Sequence, residues 1–153
     1  MGHIHVEVHV DAPIDHVWAI ARDSDRIPDY NPSMDIRHVC GALDRAGTTF
    51  EATVRILGTR SEAVGVVRGA EPGRMLHIAG LNRDGKTTSD WVFRFTPAGE
   101  TTLATLDAEY EVPMGVLGAA MDHVVFERAF ERAMRHMCEN FADLAAMRVP
   151  QPV

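Results

Sequence analysis

Cysteine is scarce in this chain. Cys40 and Cys138 stand far apart, with no CxxC spacing. That excludes a disulfide framework and a cysteine-based zinc module, and it predicts free thiols in a reducing compartment. Long apolar runs are lacking too. None approaches the roughly 20 residues that cross a bilayer, so no integral membrane association is expected. Met1 to Val10 carries no charged region followed by an apolar stretch, which is unlike a secretory signal, and a cytoplasmic location is the expectation. Positive charge is in deficit: the formal net charge is −7. A general nucleic-acid binder needs a basic footprint, and an anionic membrane repels an acidic surface, so neither partner is expected. The chain has no internal repeat, low-complexity tract or linker. It also lacks an HExxH zinc motif, a GxSxG elbow, a phosphate loop and a dinucleotide fingerprint, and no cofactor is expected.

What is present suits one globular unit. The 153 residues are 46% hydrophobic, enough for a real core, and the expected division is a single domain over 1–149 and a tail over 150–153. Ile4, Val6, Val8 and Val10 alternate with His3, His5, Glu7 and His9, the pattern of a half-buried strand. Asp11-Ala12-Pro13 opens a short helix whose apolar side is Val17, Trp18, Ile20 and Ala21, with Asp11 or Ala12 near the N-cap. Ser24 or Asp25 can cap a second short helix, which Pro28 and Pro32 confine to a turn or two. Six strand-like runs follow: Ile36 to Cys40, Thr48 to Leu57, Glu62 to Arg68, Met75 to Ala79, Thr87 to Phe95 and Thr101 to Val112. Turn residues at Gly58, Pro72-Gly73, Gly80, Asp84-Gly85 and Gly99 separate them, so an antiparallel meander is predicted. The period then changes. Leu117, Met121, Val125, Phe126, Ala129, Phe130, Ala133, Met134, Met137, Phe141 and Leu144 recur at helical steps, with Glu131 and Arg135 placed for an i,i+4 pair.

A single helix cannot cover a seven-stranded sheet from edge to edge. If the sheet bends round it, a gap is left under the short helices, and such gaps make ligand pockets. The chain resembles the START-like superfamily, also called the SRPBCC or Bet v 1-like group, nearest its polyketide cyclase/dehydrase and lipid-transport branch. The resemblance runs over essentially the whole chain. It rests on Val8-His9-Val10-Asp11-Ala12-Pro13 with Val17-Trp18, on Asp23-Ser24-Asp25-Arg26-Ile27-Pro28-Asp29-Tyr30-Asn31-Pro32, on Phe93-Arg94-Phe95-Thr96-Pro97, and on Thr102 through Pro113. It implies an α+β helix-grip fold, a curved antiparallel sheet wrapped round a long C-terminal helix. The expected function is binding of a small hydrophobic ligand, polyketide-, lipid- or aromatic-like, between sheet and helix. The alternative is a polyketide aromatase/cyclase or dehydratase acting by general acid/base chemistry there, and a third reading is an accessory protein acting through partners. A homodimer is left open. Fold alone does not choose among these.

Candidate site residues come from strand parity. On the last strand Thr102, Ala104, Leu106, Ala108, Tyr110 and Val112 share one face, which must point inward because burying Asp107, Glu109 and Glu111 together is prohibitive. Ala104 and Ala108 leave volume there, unless Phe or Met from the helix fills it. Phe50, Ala52 and Val54 share an inward face with Ile56, as do Trp91, Phe93 and Phe95, and Ile78 is added on its strand. Phe95 suits the core and Trp91 the pocket. Met34, Met75 and Met121 would make an adaptable wall, with Val125 and Ala129 on the helix. Glu62 shares a face with Val64 and Val66; it either meets a ligand's polar group or sits in water at the strand mouth. Tyr30 and Asn31 either hang over the pocket mouth from the second short helix or simply pack at its end, and Tyr30 and Glu62 would be the acid and base if the protein is an enzyme. Resembling cyclases use an interior Arg, whereas Arg55 alternates outward. His3, His5 and His9 read as a solvated outer face, so no metal site is expected.

Overall fold

The computed structural model describes residues 2–112 and 123–147, so Leu117, Met121, Pro113 and the Pro150-Gln151-Pro152 tail lie outside the described residues. Alternation along the sequence becomes alternation across a sheet. In β1 (Gly2–Val10) Ile4, Val6 and Val10 are buried while His3, His5, Glu7 and His9 are exposed. Then come α1 (Ile14–Ala21), a 3₁₀ turn (Ser24–Arg26) and α2 (Ile27–Tyr30). Six strands follow: β2 (Met34–Cys40), β3 (Thr49–Ile56), β4 (Thr59–Glu71), β5 (Met75–Leu81), β6 (Thr87–Ala98) and β7 (Thr101–Tyr110). The last described element is the helix α3 (His123–Ala146). The strands form one antiparallel sheet in the order β1-β7-β6-β5-β4-β3-β2, with β1 and β2 at its edges. The sheet curves round α3, the expected helix-grip arrangement.

Local chemistry explains most boundaries. Helix α1 starts at Ile14 with Pro13 as its N-cap, later than the sequence predicts, and Pro13 O accepts the amides of His16 and Val17. Asp23, not Ser24 or Asp25, caps the 3₁₀ turn: its carboxylate accepts from the Asp25 amide at 3.0 Å. Ile56 pairs with Thr59 round a two-residue turn in which Leu57 and Gly58 both have positive φ, the twist that hairpins favour. β5 does not stop at Gly80. It passes through Gly80 to Leu81, with an irregularity in its pairing to β6 there.

The inward set of β7 is as predicted: Thr102, Ala104, Leu106, Ala108 and Tyr110 are all buried. Thr102 sits in the interior because its hydroxyl donates to Ala12 O at 2.9 Å. Along α3 the buried residues are Phe126, Phe130, Met134, Met137, Cys138, Phe141 and Ala145, a stripe at three- and four-residue steps. Glu131 and Arg135 pair on the solvent side at 3.4 Å. Near the start of α3 the packing is dense. Phe130 stacks on Tyr110 at 4.3 Å and lies 5.9 Å from Phe126, over Ile4 and Ala108. Towards its end, Phe141 meets Tyr30 edge-on at 5.1 Å and Phe95 at 6.3 Å. No described helix is long and apolar enough to cross a membrane.

Candidate ligand-binding cavity

Between these two packed ends the inner face of the sheet loses bulk. Phe50, Gly65, Gly80 and Ser89 are register partners in one row across β3, β4, β5 and β6. The next row on β3 and β4 is Ala52 beside Ala63. Neither glycine can carry a side chain as things stand: a Cβ on Gly65 would meet the Phe50 ring at 2.1 Å, and one on Gly80 would meet Ser89 Oγ at 2.2 Å. Above this floor lies a cavity of about 160 Å³. Phe93, Phe95, Ala104 and Leu106 wall it on one side and Met34, Leu43 and Val54 on the other, with Met134, Met137, Cys138 and Phe141 of α3 above and α2 across one end.

No Asp, Glu, Lys, Arg or His is among the described residues that line it. Its polarity comes from neutral groups. Trp91 Nε1 donates to Ser89 Oγ at 2.9 Å, which leaves the serine proton free to be donated. Asn31 caps the C-terminus of α2 and is only 5% exposed. Its backbone amide donates to Ile27 O at 2.8 Å, but its buried side-chain Oδ1 has no partner. Tyr30 is held by two contacts with α3, the Phe141 ring and Asn140 Nδ2, which donates to Tyr30 O at 3.3 Å. Desolvation is the main reason that the Tyr30 phenol is raised above the ordinary tyrosine range, with Asp23 adding to it. Burial likewise pushes the Cys138 thiol up to about 12, so it is a neutral thiol and not a nucleophilic thiolate.

Tyr30, Asn31, Met34, Phe50, Ala52, Val54, Ile78, Trp91, Phe93, Ala104 and Leu106 all stand at this cavity. Phe95, read as core, is buried and reaches the cavity as well. Ala108, Tyr110 and Ala129 do not line it: they belong to the packed cluster that holds Phe126 and Phe130, of which only Phe130 reaches the cavity. Val125 is 49% exposed, one helical step off the buried stripe. Met75 faces away too, since its neighbour Leu76 holds the inward position; Met134 and Met137 supply the flexible wall instead.

Glu62 and Val64 need the largest correction. The inward residues of β4 are Ala63, Gly65 and Val67, so Glu62 and Val64 lie on the convex face, Val64 38% exposed. There Arg37 Nη2 donates to Glu62 at 2.8 Å, and Arg37 Nη1 donates to the buried Thr53 hydroxyl, which in turn donates to Glu62 at 3.0 Å. Arg37 first, then Thr53, holds the Glu62 carboxyl below the usual range. It is an ionised surface group, not a buried acid. Arg55 is exposed and paired with Asp35. His5 also faces out, bonded to Asp107 at 2.6 Å and to Glu7 at 3.2 Å. Parity missed Ala63, Gly65, Gly80 and Ser89. The available signal was a glycine inside each of two strand runs, which marks a close approach.

Three comparisons bear on this arrangement. A family model described as polyketide cyclase / dehydrase and lipid transport matches residues 1–146. No curated protein matches the chain. Solved structures match in fold. A protein of Thermus thermophilus superposes with a TM-score of 0.77 at 17% identity, covering 95% of this chain and 99% of that one. A START superfamily protein from Mycobacterium smegmatis gives 0.74 at 16% identity, over 95% and 97% of the two chains. The Zhui aromatase/cyclase of Streptomyces sp. R1128 gives 0.73 at 15%, over 99% and 98%.

Proposed function

This chain belongs to the polyketide cyclase / dehydrase and lipid transport family, and from that premise we propose that it binds a small, uncharged, mostly apolar molecule in the cavity between sheet and α3. The observation that carries the reading is an interior gap with no ionisable Asp, Glu, Lys, Arg or His among the described residues of its wall. A charged ligand entering it would shed water with no counter-charge to meet, which costs several kcal/mol or more, whereas an apolar one gains about 25 cal/mol for each Å² it buries. Tyr30, Asn31, Ser89 and Trp91 are the polar points that orient it; Met34, Phe50, Phe93, Ala104 and Leu106 give it shape.

The test is isothermal titration of the purified chain with p-xylene, a neutral ring compound, beside the variant Ala104→Trp. Ala104 lies on the cavity wall between Phe95 and Val8, so an indole there occupies ligand space. Wild-type binding that the variant loses while keeping its melting temperature supports the reading. Binding that survives the indole overturns it.

A second reading, turnover of a bound polyketide, draws on one feature: a protonated phenol, Tyr30, at the wall, able to donate to a carbonyl. Glu62 is not its base, being on the convex face. Turnover of a poly-β-ketone analogue that Tyr30→Phe abolishes would favour this reading over simple binding.

A further inference from the structure

Asn31 sets a chemical demand that the apolar walls do not meet. Asn31 is almost wholly buried at the α2 end of the cavity, and its side-chain Oδ1 is buried with no partner among the described residues. A buried amide left unpaired is destabilising, so a ligand that completes it is favoured over one of equal size that does not. An incoming hydroxyl serves the carboxamide whichever way it is turned: it donates to Oδ1 or accepts from Nδ2. A ketone meets only the NH₂ edge. A carboxylate cannot donate to Oδ1 and finds no cation in the lining. An ammonium finds no carboxylate among the described lining residues.

Size narrows the choice further. At about 160 Å³ the cavity resembles the apolar cavity of about 150 Å³ that accommodates benzene, and it is well below the 300–1,000 Å³ of pockets for larger ligands. Its walls include the rings of Phe50, Trp91, Phe93 and Phe141, which suit a flat, rigid guest. We propose that the ligand is a hydroxylated single-ring molecule of the phenol class, its hydroxyl bonded to the Asn31 carboxamide and its ring among the aromatic and methionine side chains. This rests on the reading of the cavity as the ligand site, and it is narrower than that reading.

The experiment compares p-cresol, p-xylene and p-toluate, rings of one size with a hydroxyl, a methyl or a carboxylate, by isothermal titration to the full chain. The expected result is p-cresol binding about tenfold tighter than p-xylene, the scale of one hydrogen bond to a buried group, with p-toluate weaker than both. In Asn31→Leu the preference for p-cresol over p-xylene disappears. The wild-type chain supplies a second readout, independent of how the variant folds: p-cresol shifts the side-chain amide NMR signals of Asn31 and p-xylene does not. Equal binding of p-cresol and p-xylene, an unmoved Asn31 signal, a preference that survives in Asn31→Leu, or p-toluate binding as tightly as p-cresol would each overturn the proposal and leave the cavity reading standing. Failure of all three compounds to bind would sink both.

Discussion

Gly65→Ala tests whether the space above the sheet is free. Gly65 is buried and its φ is not in the left-handed region, so alanine suits its backbone. The obstacle is the Phe50 ring, whose Cζ, Cε2 and Cε1 would lie 2.1, 2.3 and 2.6 Å from the new Cβ. Ordinary contact begins at 3.4 Å, so the ring tip must retreat by at least about 1.3 Å. In a fully packed core such overpacking costs roughly 1–3 kcal/mol. Here the ring borders about 160 Å³ of cavity and can swing into it. The remaining costs and gains are small. An off-rotamer torsion costs about 0.5–1.5 kcal/mol, and the lost freedom of the unfolded chain returns about 0.4–1 kcal/mol. The expected net change is within about 1 kcal/mol, a shift in melting temperature of no more than roughly 2–4 °C for a chain of this size. Ligand space shrinks, so affinity for p-xylene should fall about tenfold or more, the scale of an apolar contact worth about 1.4 kcal/mol. Thermal unfolding by circular dichroism and isothermal titration read the two quantities. A fall in melting temperature of about 6–12 °C, the upper end of the overpacking cost, would mean that no free space lies above Phe50. Unchanged affinity would mean that the displaced ring does not enter the ligand's space.

Other outcomes follow from the charges and the phenols. Glu62→Gln should leave neutral-probe binding unchanged, because the carboxylate serves Arg37 and Thr53 on the convex face; lost binding would return Glu62 to the site. Any stability that Glu62 contributes is present above its ordinary carboxylate range and is lost as pH falls through its lowered folded value, so the wild-type advantage over Glu62→Gln should vanish in acid. His5 has the opposite sign. Its bond to Asp107 raises it above 6.5, so its contribution is full below that value and fades as pH rises through the folded one. An NMR titration of the ring should show the raised midpoint, and Asp107→Asn should lower it. Both tyrosines should resist ionisation past pH 10 in an ultraviolet titration, Tyr110 being pushed up to about 12 and Tyr30 raised further by burial. Stability from both is full below pH 10 and is lost above it, so early tyrosinate absorbance from folded protein would show that the phenols are solvated.

The sheet, the short helices and α3 were legible because each has a clean period. The inward set of β7 could be read because its alternative was to bury Asp107 and Glu109. β4 was misread for the converse reason. Its true inward residues, Ala63 and Gly65, carry little hydrophobic signal, while Val64 and Val66 on the outer face carry much. Gly80 read as a strand end, yet it sits inside β5 with Ser89 folded over it. A cavity is where bulk is missing, so its floor is the part of a strand that periodicity sees least. Ala108 shows the other limit. It is as small as Ala104 and on the same face, but it is packed into the cluster that holds Phe126 and Phe130. That packing depends on which turn of α3 lies over which row of the sheet, a tertiary fact that no local pattern contains.

The same division of polarity decides what chemistry the interior can support. Arg37, Glu62, His5 and Asp107 are paired across the convex face, so the sheet holds these charges on its water side. The concave side keeps groups that donate or accept hydrogen bonds without ionising near neutral pH: a carboxamide, two serine hydroxyls, an indole, a phenol and a thiol. Burial raises both the Tyr30 phenol and the Cys138 thiol, which strengthens their hold on the proton and removes them as bases or nucleophiles. Tyr30 therefore stays a neutral phenol, able to donate a hydrogen bond and to accept one. A general-base step needs an acceptor poised near the working pH, and none lines the cavity among the described residues.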